Sequence, residues 1–536
     1  MLFDPVVRDA AWTGRVSTIR TFATALGSTH GWRRWGAGLG LGLAAAAAMP
    51  PFNIVPILFL AFPGLIWLID GARSRLQAGA DGWRFGFGFF VPVLYWTTLS
   101  LFVDIGQFWF LVPFALFGLP AVLALGPGLA AASARAVPVG GSGRIIVFAT
   151  AMTALDWSRG HAPFGGFPWA LMGYTWSGDA ACLLSVLQSV SLFGIYGLTL
   201  VTILCASLPA RLGQMVRVGE RPRDRFLPPV LGLAVLILLA GFGWMRLDHG
   251  PDPLVAGARL RIVQPDNPQL ADWSEDEAIA DARRTLTLAG SSGSAGLSAQ
   301  IWPEGAIDFL INRDAGVRSA VAAAAPSGGE VLFGTLHAGD GPDEAFNSVA
   351  AIGHAGNILA IYDKFHLVPF GEYIPMRRLL QFSPIVTERL DFATGPGPRT
   401  IVLPNLPPVS PIICYEAIFP HAVVDETDRP GWIVNVTDDT WFGTSIGPRQ
   451  HFAITRVRAV EEGLPLVRAG NSGISGVIDP HGRVLARLDL GRQGYLDSGL
   501  PQALPGVPPY ARFGDTIFAA MLGLSLAVAL LTFRRR

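Results

Sequence analysis

A chain of 536 residues in which 51% are hydrophobic and only 15% charged lies well below the roughly 25% charge of an ordinary soluble domain, which excludes a disordered chain and argues against a wholly soluble one. Forty basic and 40 acidic residues leave a formal net charge of zero, so no overall field draws the chain to nucleic acid or to an acidic surface. Its three cysteines, Cys182, Cys205 and Cys414, give no readable disulfide framework and leave the compartment open.

Apolar runs come first, at about 36–49, 54–69, 85–103, 108–133, 145–157, 187–209 and 226–245, and one more at 515–533 precedes Arg534, Arg535 and Arg536. Each reads as a candidate membrane helix, the first and fifth being short for a hydrocarbon core about 30 Å thick. Roughly 35 mostly polar residues stand before the first run, which argues against a cleavable signal. Arginines divide the loops. Arg8, Arg15, Arg20, Arg33, Arg34, Arg73, Arg75, Arg84, Arg135, Arg144, Arg211, Arg217, Arg221, Arg223, Arg225 and the terminal triplet fall on one side, against Arg159 alone in the opposite short loops. Short cytoplasmic loops collect Lys and Arg, so this asymmetry predicts both termini in the cytoplasm and residues 250–510 across the membrane. The alternation fails without the fifth helix, which is why that short run is kept. The expected division is a seven-helix bundle over 1–250, an extracytoplasmic domain over 251–510, and a single helix with a basic tail over 511–536.

From Arg259 to about Leu500 the pattern changes to short β-branched runs separated by turn residues, with helical patterns at 274–290, 313–325 and 447–463. Such alternation of strand and helix predicts one layered α/β domain. Gly353–Gly356 reads as a hairpin and DPHG at 479–482 as a tight turn.

Three residues in this domain have the chemistry for acyl transfer. Cys414 ends the apolar run VSPIIC, and Glu304 follows an apolar strand in IWPEG, so both sit where a buried strand gives way to a polar turn. A lone cysteine is more often a small buried hydrophobe, and a turn acid is often merely solvated. Lys364, in IYDKFHLVPFGE, stands out by count: of 40 basic residues it is the only lysine. A lysine retained where arginine fills every other basic position suggests a place that needs a compact ammonium.

Glu304 in WPEG, Lys364 in YDKFHLVPFGE and Cys414 in ICYE, spaced by 60 and 50 residues, resemble the Glu-Lys-Cys triad of the nitrilase superfamily. Together with the helices, and with QPDNPQLADW, FGEYIP and DTWFG at 264–273, 370–375 and 439–443, they resemble its membrane-embedded branch, the apolipoprotein N-acyltransferases. The resemblance implies a polytopic helical membrane bundle carrying a four-layer αββα sandwich. It also implies an acyltransferase that moves a fatty acyl chain from a phospholipid to the α-amino group of the diacylglyceryl-cysteine of a bacterial lipoprotein. Cys414 would form a thioester in a ping-pong cycle, Glu304 would act as base and acid, and Lys364 with the backbone N–H of Tyr415 would face the oxyanion. Glu372 and Glu416 are expected to support the site, with Trp273, Trp441 and Asn347 as substrate-binding candidates. Val368, Phe370, Tyr373 and Ile374 form an apolar loop that would either meet the outer leaflet or pack on the bundle. The partners would be the phospholipid, the lipoprotein and the bilayer, with no nucleic acid and no cofactor. The bacterial inner membrane, with the catalytic domain in the periplasm, is the expected location.

A membrane-tethered nitrilase-type amidase acting on a small amide, with water as acceptor, would use the same triad, but a tether needs one helix rather than eight. A transporter or ligand receptor would need charges along the spans, and the apolar runs carry almost none. His337, His354, His366, His421, His451 and His481 show no metal-ligand spacing, so no metal is expected.

Overall fold

A computed structural model describes residues 18–215, 222–248, 250–269, 274–341, 344–378 and 391–534. Helices α1 (Gly31–Ala46), α2 (Leu58–Gly71), α3 (Arg75–Leu94), α4 (Leu125–Ala136), α5 (Ser142–Arg159), α6 (Val190–Ser207) and α7 (Pro222–Leu247) occupy the seven N-terminal apolar runs. With the short turns that continue them, four described stretches are long and apolar enough to cross a membrane: Arg75–Phe102, Ile105–Ala136, Val190–Leu212 and Arg223–Leu247. Val55–Gly71 and Asp515–Leu531 are shorter apolar helices.

Small residues let these helices meet backbone to backbone, which is how apolar helices gain contact where every side chain is equally greasy. At Gly42 of α1 a Cβ would fall 2.0 Å from the Phe85 carbonyl oxygen of α3. One buried charge of the bundle is paired across helices: Arg34 Nη2 lies 2.6 Å from the buried Asp81 carboxylate, which Arg84 also approaches at 2.9 Å.

The polar segment folds into two stacked sheets. The first contains β1 (Leu254–Gln264), β2 (Ala299–Ile301), β3 (Ile307–Leu310), β4 (Glu330–Ala338), β5 (Ala345–Gly353) and β6 (Ile358–Asp363). The second contains β7 (Ile401–Leu403), β8 (Leu406–Ile413), β9 (Trp432–Thr437), β10 (Leu466–Gly470), β11 (Ser475–Ile478) and β12 (Val484–Leu488). β13 (Gly494–Pro501) returns to the first sheet, giving the orders β13-β1-β2-β4-β5-β6, with β3 on β4, and β12-β11-β10-β9-β8-β7. At the centres, β1, β2 and β4 run parallel, as do β8, β9 and β10.

Alternation along each strand builds the layers. Leu260, Ile262, Ile301 and Leu332 of one sheet face Ile413, Val434, Val436 and Val467 of the other in a common core. The opposite faces are also covered. Val263, Phe333 and Ile352 pack with α8 (Glu275–Ala289) and α9 (Ala315–Ala324), while Ile412, Ile433 and Leu466 pack with α10 (Gly447–Glu462). The result is the αββα sandwich. Burying each such aliphatic side chain contributes about 2 kcal/mol, and a one-residue slip would turn every one of them to the wrong face, so register is fixed. The chain then returns to the bundle in α11 (Asp515–Arg534).

Candidate active site

Four strand ends converge at one edge of the sandwich. Cys414 directly follows β8, Asp438 and Asp439 follow β9, Lys364 follows β6, and Glu304 lies three residues past β2. Parallel strands whose faces are covered by helices leave their carboxyl ends as the place where polar side chains gather without breaking a ladder.

Lys364 is the centre of the cluster. Its ammonium, 1% exposed, lies 3.2 Å from Glu304 Oε1 and 2.9 Å from Glu372 Oε1. Asn347 Nδ2 donates to the same two oxygens, at 2.8 Å each. The remaining oxygens are held by backbone: Asp438 N donates to Glu304 Oε2 at 2.8 Å and Val368 N to Glu372 Oε2 at 2.8 Å. Burial alone would lower the lysine pKa, but the two carboxylates override it and raise it, so the group is an ammonium at any physiological pH.

Cys414 adopts φ +46°, in the left-handed region that residues other than glycine rarely enter. Burial pushes its thiol well above the usual range and the Glu304 carboxylate adds to this, while Lys364 pulls back. A thiol so placed stays protonated until a base takes its proton.

Glu416 ties the Cys414 turn to the Lys364 loop. Its Oε2 accepts from Ile413 N at 2.7 Å and Tyr362 Oη at 3.0 Å, and its Oε1 accepts from Phe365 N at 2.7 Å and His366 N at 3.3 Å. Burial raises its carboxyl to about 7 against these donors. The Tyr415 hydroxyl reaches the bundle, donating to Gly166 O at 2.9 Å.

Residues 41–208 match the family model described as the apolipoprotein N-acyltransferase N-terminal domain, and residues 313–504 match that of carbon-nitrogen hydrolase. Apolipoprotein N-acyltransferases of Rhodopseudomonas palustris and Bradyrhizobium diazoefficiens are each 40% identical over 97% of this chain, covering 99% and 98% of their own lengths. One from Brucella melitensis is 36% identical over 95% of this chain and 97% of its own. The chain belongs to the apolipoprotein N-acyltransferase family. Among solved structures, an amidase of the nitrilase superfamily from Nesterenkonia matches at 18% identity, covering 51% of this chain and 100% of its own, with a TM-score of 0.37.

As a member of the apolipoprotein N-acyltransferase family the protein is an acyltransferase with a carbon-nitrogen hydrolase domain. Of the residues singled out by sequence, Glu304, Lys364, Glu372, Asn347 and Glu416 are bound into one network around Cys414 and Tyr415. Asn347, a substrate-binding candidate by sequence, bridges both carboxylates, because β5 carries it opposite the β6 end. Trp441 sits half-buried on the turn Thr440–Phe442 after β9. Trp273 lies outside the described residues. The apolar loop packs on the bundle at Tyr373, whose hydroxyl lies 3.5 Å from Phe164 O, while Phe370 is partly exposed.

Sequence reasoning missed a second polar cluster beneath Cys414. Asp439 and Arg468 are fully buried and His451 is 2% exposed. The only signal was Asp439 at the head of DTWFG; nothing in the spacing connects it to His451 or Arg468. The fold also assembles two trios of possible metal donors that spacing along the chain did not show, Cys414 with Asp439 and His451, and Asp252 with Asp479 and His481. In each, an arginine already meets a carboxylate, Arg468 at 2.7 Å from Asp439 and Arg483 at 3.1 Å from Asp479. Asp308, near Glu304 and Asp438, is raised to about 7 by burial and by those neighbouring acids.

Proposed function

We propose that the enzyme transfers a fatty acyl chain from a phospholipid to the α-amino group of the N-terminal diacylglyceryl-cysteine of bacterial lipoproteins, through a thioester on Cys414. The observation that carries this reading is the strained Cys414 set beside a buried ammonium shared by two carboxylates. Glu304 takes the thiol proton as sulfur attacks the ester carbonyl, a C–S bond forming while the C–O bond to glycerol breaks. Glu304 then returns the proton to the departing oxygen, releasing a lysophospholipid. Two of the three ammonium N–H groups of Lys364 are taken by Glu304 and Glu372, and the third serves the oxyanion together with Tyr415 N–H, each donor being worth roughly 3 kcal/mol. In the second half-reaction the neutral lipoprotein amine attacks the thioester, Glu304 accepts its proton, and the same proton passes to the leaving thiolate.

This reading places residues 1–250 and 511–536 in the inner membrane with both termini cytoplasmic, and residues 251–510 in the periplasm. The arginine asymmetry and the apolar helices support it. The contacts of Tyr415 and Tyr373 with the bundle segment at Phe164 and Gly166 favour a lipid donor, since the site adjoins helices rather than open solvent. Intact-mass analysis after incubation with phospholipid tests it. One acyl mass, removable by hydroxylamine and absent from Cys414→Ala, is expected. An adduct that persists in that variant, or maps to Cys182 or Cys205, overturns the mechanism.

A further inference from the structure

Base and nucleophile belong to different sheets. Glu304 follows β2 of the first sheet and Cys414 follows β8 of the second, and the apolar core between the sheets supplies no directional bond. Lys364 and Asn347, which hold Glu304 Oε1, come from the same sheet as Glu304 itself. The bond from Asp438 N to Oε2, at 2.8 Å, comes from the exit of β9 in the other. β8 and β9 run parallel with Ile413 beside Val436, so Cys414 and Asp438 leave neighbouring strands together. The direction of the Asp438 N–H therefore sets where the base stands relative to the sulfur.

The Asp438–Thr440 turn is closed by side chains. Asp438 Oδ1 accepts from Thr440 N at 2.9 Å, from the Thr440 hydroxyl, and from Asn471 Nδ2 at 3.2 Å. Asn471 directly follows β10, and its main chain is held on both sides: its N donates to Thr437 O at 3.0 Å and its O accepts from Asp266 N at 3.1 Å. Its side-chain Oδ1 accepts from Asn267 N at 2.9 Å, while Nδ2 also meets Asn267 O at 3.1 Å and Thr440 Oγ1 at 3.0 Å. A backbone N–H at one end and a carboxylate at the other leave the amide one orientation, and they require a donor and an acceptor in the same side chain. Asp266, at φ +54°, turns the chain through the left-handed region just past β1, which brings Asn267 round to this amide. Arg284 of α8 holds the Asn267 side-chain oxygen at 2.5 Å. Asn471 is 6% exposed and Asn267 5%, so solvent does not replace a bond lost here.

We propose that Asn471 is a positioning residue for the base: its amide clips the exit of β1 in the first sheet to the Asp438–Thr440 turn of the second, and so fixes the gap between Glu304 and Cys414. The Glu304 carboxylate must reach first the thiol proton and then the oxygen of the departing alcohol. A misplacement of about 1 Å costs about a hundredfold in such steps. This role deepens the acyl-transfer reading and rests on it for the donor, but not for the link between Asn471 and Glu304.

The test follows single-turnover acyl-enzyme formation by the full-length protein in detergent, with phospholipid and with the ethyl and p-nitrophenyl esters of one fatty acid as donors. p-Nitrophenolate departs without a proton, whereas the glycerol and ethanol oxygens need the one that Glu304 returns. Asn471→Asp keeps the shape but loses the donor, and Asn471→Leu loses both functions. Each should lower the saturating rate about thirtyfold with phospholipid and ethyl ester but about threefold with the aryl ester. The half-saturating phospholipid concentration should stay within about twofold of the parent. A side chain that merely supports the fold would slow all three donors alike, and one that binds substrate would raise the half-saturating concentration. Either result, or an unchanged rate, overturns the proposal. Asn471→Ser, whose hydroxyl is too short to serve Asn267 and Asp438 together, replaces any variant that is not recovered folded. If the parent forms acyl-enzyme from the two simple esters but not from phospholipid, the acyl-transfer reading fails, and the contrast between ethyl and aryl ester still decides the role of Asn471.

Discussion

At Lys364 the cation is enclosed by acceptors. The ammonium sits between Glu304 and Glu372 with almost no exposure, and a guanidinium is larger, planar and fixed in its donor directions. Lys364→Arg keeps the charge and should still slow acyl-enzyme formation about a hundredfold, the equivalent of about 3 kcal/mol of oxyanion stabilisation. Rapid quench with phospholipid checks this; a rate within about threefold of wild type would mean that the lysine is not a geometric donor. Asp308 makes a different prediction. Its carboxyl is raised from an unfolded value of 3.8 to about 7 by burial and by Asp438, Asp281 and Glu304, so the folded chain holds a proton that the unfolded chain releases. The stability this gives is fully present below the lower value and is lost as pH rises through the upper one. Between pH 4 and 7 the wild type should therefore lose on the order of 2 kcal/mol more than Asp308→Asn. Melting curves in detergent across that window, with a steeper decline in the wild type, are the expected outcome. Composition singled out Lys364 through its count, but nothing along the chain marked Asp308, whose environment comes from β9 and α8.

Among the elements, the short turn after β8 is the one whose conformation matters most, and Glu416 fixes it. Its carboxylate accepts from Ile413 on one side and from Phe365 and His366 on the other, joining the ends of β8 and β6. Glu416→Gln replaces one acceptor oxygen with a donor and strands at least one buried backbone N–H, at about 1–3 kcal/mol. The variant should melt several degrees lower, and its acyl-enzyme rate should fall at least tenfold. A stable variant with wild-type rate would show that the two strand ends hold their places without it. Strands and the three helices of the sandwich were legible from periodicity: patterns at 274–290, 313–325 and 447–463 became Glu275–Ala289, Ala315–Ala324 and Gly447–Glu462. The hairpin at Gly353–Gly356 was also legible, since Gly356 takes φ +79°, a conformation for which the residue type is itself the signal.

On the scale of the whole molecule, α10 joins the two halves. Phe452 and Ala459 pack on the second sheet, while Ile454, Val457 and Val460 belong to the core of the bundle. Polar contacts follow the same division: Arg456 pairs with Asp179 at 2.7 Å, Gln450 accepts from Trp169 at 2.7 Å and Trp96 at 3.2 Å, and Glu461 accepts from Ile195 N at 2.8 Å. That last bond satisfies an N–H freed where Gly194, at φ +67°, breaks α6. A helix buried all round needs both neighbours. Residues 250–504 expressed alone should therefore aggregate or require detergent, as judged by size exclusion and light scattering. A soluble monomer that unfolds cooperatively would show the interface to be dispensable.

The sequence by itself determined the alternation of apolar helices and the layered domain between them, and it marked Glu304, Lys364 and Cys414 as candidates, because periodicity, turn chemistry and strand-end position are local properties carried by neighbouring residues. Tertiary structure alone decided that Asn347 joins the two carboxylates, that His451, Asp439 and Arg468 stand beneath the cysteine, and that α10 faces the bundle. Those relations bring together residues from β5, β9, β10 and α10. Their partnership depends on strand order and on the stacking of two sheets, and no spacing along the chain encodes either.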